Sequence, residues 1–198
     1  MTEPQLLVEM DQYLKSGIHI GTKFKTKYME NFIYKIKPDG LVVMNLQKID
    51  ERLRVAADFI SRFAPNEIVI ISKRENGWKP LKLLSKVTGI KVMPGRYTPG
   101  TMTNLALDEF SEFKLLIVVD AWLDKNAVHD AKKAGMAIVG LCDTNNQSNN
   151  LDLIIPCNNK GRKALGLVFW ILTNEYMHKR GMPSSQQIEY SIDDFSED

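Results

Sequence analysis

Two aspartates close apolar runs of this chain: Asp120 follows the run 115–119, and Asp143 follows 137–142. Carboxylates at the ends of neighbouring strands are where an α/β fold would build a metal or phosphotransfer site. The other reading is that each carboxylate caps the turn or helix after it. Gly95-Arg-Tyr-Thr-Pro-Gly100-Thr101 spaces two glycines as a phosphate-binding loop does. Thr101 and Met102, however, stand where such a loop needs Lys and Ser/Thr, so the phosphate clamp and the magnesium ligand are missing. Pro99 also removes a backbone donor from the would-be cradle. No G-x-G-x-x-G follows a strand. His19, His129 and His178 lie on separate segments, none in a motif with Cys, Ser or another His. Cys142 and Cys157 form no C-x-x-C pair and are expected to be reduced, buried thiols. An enzyme built on Asp120 and Asp143 would lack a companion base, nucleophile or phosphate loop. The sequence reads as a non-enzyme with no cofactor, no metal and no small-molecule substrate.

The remaining chemistry is display of positive charge. Lys23, Lys25 and Lys27 alternate with Phe24 and lead to Tyr28, in a stretch that continues to Lys35 and Lys37. Such a segment can follow a phosphate backbone and offer a ring for stacking; the bland alternative is a solvated loop. Lys73, Arg74, Lys79, Lys82 and Lys86 form a second basic group. Arg96, Thr98, Thr101, Thr103 and Asn104 make a polar loop suited to phosphate and sugar contacts. Asn158, Asn159, Lys160, Arg162 and Lys163 gather donors and bases at a helix start, which favours anions. Together these groups favour a polyanionic partner.

The elements that must position them follow from periodicity. Leu6, Leu7, Met10 and Leu14 have helical spacing, stopped at Gly17. A turn at Pro38-Asp39-Gly40 leads into a strand over 41–44, and Asn45 is a helix cap. Ile49, Leu53, Ala56, Ile60 and Phe63 form one amphipathic stripe, broken by Pro65-Asn66. Buried strands are expected at 68–71, 92–93, 115–119, 137–141 and 153–155, with helices over 81–87 and 126–134. Asn158 or Asn159 should cap a last helix reaching about Lys179. Apolar strands alternating with helices imply a doubly wound, mainly parallel α/β sheet with helices on both faces.

Length suits one domain, placed at 1–181, with a basic amino-terminal segment at about 17–37. Net charge is only +2, but Glu189, Asp193, Asp194, Glu197 and Asp198 crowd the last ten residues. Removing those five negative charges leaves +7 on the rest, and residues 182–198 are expected to form an acidic, flexible tail. The first nine residues lack the basic start and apolar run of a signal peptide, and the longest apolar run, 165–172, is far too short to span a bilayer. The expected location is cytoplasmic, with no membrane partner.

Several stretches, in order, resemble one family. Gly17-Ile-His-Ile-Gly21-Thr with Tyr28-Met-Glu-Asn-Phe-Ile-Tyr34 is similar to the opening of small-subunit ribosomal protein S-two. Asp39-Gly40, Asn45-Leu-Gln-Lys48 and the stretch 52–59 continue the likeness. Arg96-Tyr-Thr-Pro-Gly-Thr-Met-Thr-Asn104 resembles the family's most diagnostic loop, and Leu141-Cys-Asp-Thr-Asn145 with Ile155-Pro-Cys-Asn-Asn-Lys-Gly161 completes the match. Residues 105–112 bridge directly to the next strand, without the long helical hairpin of bacterial members, as in archaeal members and the eukaryotic SA protein. Where the family has Asp-Pro-Arg, this chain has Asp120-Ala121-Trp122, so an arginine contact at that place does not carry over.

The resemblance implies a flavodoxin-like body in the small ribosomal subunit, touching ribosomal RNA and neighbouring ribosomal proteins and supporting assembly and translation. The candidate RNA-binding set is Lys23, Lys25, Lys27, Arg74, Arg96, Thr98, Thr101, Thr103, Asn104, Lys160, Arg162 and Lys163. The rival of another class is a protein-interaction module using Trp122 and the apolar last helix.

Overall fold

The computed structural model describes residues 6–181 and 190–196. Five strands, β3 (Ile68–Ser72), β4 (Lys91–Pro94), β5 (Leu115–Val118), β6 (Ala137–Cys142) and β7 (Leu153–Pro156), form one sheet in the order β4-β3-β5-β6-β7. Every pairing in it is parallel. This is the doubly wound α/β fold that the sequence implies, and its winding reverses between β3 and β5, where such folds place a ligand crevice.

Alternate strand residues feed two cores. Ile68, Ile70, Leu115, Ile117, Val139 and Leu141 face the larger one. It is covered by α2 (Leu46–Ser61), α3 (Trp78–Thr88) and α5 (Arg162–Lys179). Asn45 starts α2 as expected, its Oδ1 accepting from the Gln47 and Lys48 amides. The nearly all-apolar sequence of α5 is explained by its position, packed between α2, α3 and the sheet. Val69, Ile71, Leu116, Val118 and Ile138 face the smaller core, under α4 (Lys125–Lys133) and the helix-free connection 95–114.

Two expectations about the amino-terminal region need correction. Residues 33–36, within the lysine-rich stretch and outside the expected strands, form β1 (Ile33–Ile36), which pairs antiparallel with β2 (Val42–Met44). That hairpin stands apart from the parallel sheet. The amino-terminal helix is also shorter than its pattern: α1 is Met10–Ser16, preceded by Leu6 and Leu7 in non-helical chain. A carboxylate fixes it, since Asp50 on α2 accepts from the Tyr13 hydroxyl, the Leu7 amide and Arg54 Nε.

The acidic tail was expected to be unstructured. Its residues 190–196 instead carry α6 (Ile192–Ser196), packed on α5 with Phe195 fully buried. Gly166 permits this: a Cβ there would lie 3.0 Å from the Phe195 carbonyl oxygen and 3.0 Å from Ser196 Cβ. Residues 182–189 and 197–198 lie outside the described residues. Among the described residues no helix is long and apolar enough to cross a membrane.

Candidate nucleic-acid interface

The carboxyl ends of β3, β5, β6 and β7 converge on one buried polar network. Asp120 sits at the switch point and is buried. Its Oδ2 accepts from Arg74 Nε (3.0 Å) and Nη2, and its Oδ1 from the Trp122 amide and Asn146 Nδ2 (3.0 Å each). Asn146 Oδ1 accepts from the Asp143 amide (2.8 Å) and from Asn159 Nδ2 (3.1 Å). Asn159 Nδ2 also reaches the carbonyls of Val119 and Leu141. Asp143 closes the Thr144 turn with Oδ1 and accepts from Lys160 Nζ with Oδ2 (2.9 Å). Both strand-end aspartates are therefore turn and network acceptors, and the Arg74–Asp120 pair lines the crevice at the switch point.

Asn159 is thus no helix cap. It ties three strand ends together, while Asn158 Oδ1 accepts from the Lys160 and Gly161 amides just before α5. Asp124, buried beside the network, has its carboxyl pushed up to about 6, chiefly by burial. The Lys73 amide donates to it and opposes the rise, and the neighbouring Asp120 charge adds to it. Burial likewise pushes the Cys142 thiol up to about 12 and Cys157 well above its ordinary value, so both are inert.

The lysine segment is fastened to this network by its backbone. The Thr22 amide donates to Thr144 Oγ1, the Thr26 amide to the Thr144 carbonyl, and Thr26 Oγ1 to the Asn146 carbonyl. Gly21 allows the approach, because a Cβ there would fall 2.5 Å from Thr144 Cγ2. Lys23, Lys25 and Lys27 all remain exposed, and Phe24 is 77% exposed. Lys25 forms an exposed pair with Glu30 (2.9 Å), of a kind worth little in water. Lys160 reaches Asn145 and Asp143 at the same edge, where Asn76 Nδ2 donates to its carbonyl, and Arg162 and Lys163 follow on the exposed first turn of α5.

The diagnostic loop folds around a different carboxylate. Asp130 Oδ2 on α4 accepts from the Tyr97 hydroxyl and the Gly100 amide, both at 2.9 Å, and the Tyr97 oxygen accepts from the Met102 amide. This leaves Arg96, Thr98, Thr103 and Asn104 exposed. Thr101 is buried with its hydroxyl on the Thr98 carbonyl, and offers nothing to an outside partner. Arg74 is likewise held by Asp120. The candidate residues therefore fall into two groups: Lys23, Lys25, Lys27, Lys160, Arg162 and Lys163 about the strand ends, and Arg96, Thr98, Thr103 and Asn104 on the loop beside β4. Sequence reasoning missed the buried Asn146 and Asp130, which carry the geometry of both groups; short polar side chains in loops give no periodic signal.

The family model for ribosomal protein S2 matches residues 13–111 and 111–178. The chain belongs to the ribosomal protein S2 family. It is 44% identical over 190 residues to the small ribosomal subunit protein uS2 of Nanoarchaeum equitans, covering 96% of this chain and 94% of that one. The uS2 protein of Thermofilum pendens is 44% identical over 196 residues, covering 98% and 92%. That of Methanococcus maripaludis strain C6 is 43% identical over 197 residues, covering 100% and 89%. These family relatives are archaeal and matched along nearly their whole length, which agrees with the direct bridge at 105–112. In a ribosomal family the strand-end aspartates have no catalytic task, consistent with their saturated hydrogen bonding.

Proposed function

We propose that this chain is a structural, non-enzymatic constituent of the small ribosomal subunit, bound to ribosomal RNA and to neighbouring ribosomal proteins. It supports subunit assembly and translation from the cytoplasm. The observation that carries the contact assignment is the fastening of the 22–26 backbone to Thr144 and Asn146, which holds the loop while its three lysines stay exposed. A loop held by its main chain presents charge without losing much further order on binding, and phosphate contacts then dominate affinity. The edge about Lys160, Arg162 and Lys163 extends this surface, and Arg96, Thr98, Thr103 and Asn104 make a second contact. We assign the body to residues 1–181 with the basic segment at about 17–37.

Sucrose-gradient fractionation of a lysate tests the reading. Stoichiometric migration with small subunits, released as salt is raised, is the expected result. A free peak of monomer size, with none on subunits, would sink it.

A further inference from the structure

Beside the strand ends, α4 and the 147–150 loop enclose an open groove of about 540 Å3. Trp122 stands at its mouth, 71% exposed, and Lys125, His129, Lys132, Asn149 and Asn150 line its walls. Lys125, His129 and Lys132 share one exposed face of α4, at spacings of four and three residues. Lys132 Nζ donates to Asn150 Oδ1 (3.0 Å) across the groove, joining the two walls and leaving two ammonium protons for other acceptors. No carboxylate is among the groove's described lining residues.

An exposed indole ordinarily signals a partner, because so large a ring is seldom left in water. Here its backbone is fixed, since the Trp122 amide donates to Asp120 and so shares the buried network. The cations, side-chain amides and ring in one groove match the parts of a nucleotide: phosphate, base edge and base face. An apolar protein surface would cover Lys125, Asn149 and the remaining ammonium protons of Lys132 without offering them acceptors or donors.

The groove also continues the basic surface. Lys160 touches Asn145, and Asn145 and Asn146 line a crevice with Trp122 and the paired Arg74 and Asp120. Trp122 is shared by that crevice and the α4 groove. Trp122 thus lies between the edge that carries Lys160 and the wall that carries Lys132.

We propose that this groove binds an unpaired RNA nucleotide, its base stacked on the Trp122 indole and its flanking phosphates on Lys125 and Lys132. The proposal rests on the RNA-binding reading above and extends it to residues outside the expected contact set. Trp122 here is a recognition platform, with no chemistry to perform.

The probe is a labelled single-stranded oligoadenylate of about a dozen nucleotides, titrated against the purified full chain across a salt series. W122A should lose between about fivefold and a hundredfold in affinity with an unchanged salt slope, while W122F keeps most of the affinity. K125E/K132E should make the log–log salt slope shallower by about 1 to 2. Urea melts of each variant separate lost binding from lost folding, and W122F reports on stacking even if W122A is unstable. Parental affinity in W122A overturns the proposal, as does no binding of the probe by the parent chain. If W122A leaves small subunits on a gradient yet binds the probe normally, the groove holds a protein and the proposal is wrong. Gradient migration of the parent chain decides the ribosomal reading separately, so the two can fail independently.

Discussion

Asp120 and Lys25 lie on segments joined by hydrogen bonds, yet their charges have opposite fates. The aspartate is buried and accepts four donors from Arg74, Trp122 and Asn146. The lysine meets one exposed carboxylate and water. A charge whose partners are all internal sets geometry, and a charge displayed on a fixed backbone is free to meet a partner outside. The strand ends are the first kind and the 23–27 loop is the second. The same contrast recurs beside β4, where Asp130 is buried by Tyr97 and Gly100 while Arg96 is displayed.

The sharpest way to break the contrast is to empty its buried side. Asp120→Ala would strand the half-buried Arg74 guanidinium and leave Asn146 Nδ2 and the Trp122 amide without their acceptor. We expect a loss of about 3 to 5 kcal/mol in urea-unfolding free energy. A loss below about 1 kcal/mol would mean that the network is not what holds the strand ends.

Asp124 gives a smaller effect with a definite sign. Its folded-state carboxyl is raised to about 6 from an ordinary 3.8, so the native state holds the proton more tightly than the unfolded chain. Stability from this group is therefore full below about pH 4 and is lost as pH rises to about 6, by up to about 2 to 3 kcal/mol. Asp124→Asn keeps an acceptor for the Lys73 amide and should flatten that decline in melts between pH 4 and 6. An unchanged pH profile would show that Asp124 is better solvated than its burial implies.

The displayed side should give the smallest stability effect. Changing Lys23, Lys25 and Lys27 together to Glu should alter unfolding free energy by no more than about 0.5 kcal/mol. It should nevertheless weaken incorporation into small subunits, with release at lower salt. Unfolding by this variant would place the lysines in the first category; normal incorporation would remove the loop from the RNA interface.

The positions of the parallel strands, the Asn45 cap, the glycine stop at Gly17, and the apolar faces of α2 and α5 were legible from the chain alone. So was the basic character of 23–27, because charge and exposure go together in a short polar loop. Periodicity and capping act over a few residues, and each is written in consecutive side chains.

Tertiary structure decided the rest. Arg74 finds Asp120 46 residues away, and Thr22 finds Thr144 122 residues away, only because parallel crossovers bring strand ends together. The same convergence makes Asn159 a tie between strands instead of a cap, and withdraws Arg74 from the displayed charges. Thr101 is hidden because Asp130, on a helix distant in sequence, closes its loop. The acidic tail has a docked helix because α5 offers a glycine where α6 must approach. In each case the deciding partner lies far along the chain, and composition and spacing carry no record of distance in space.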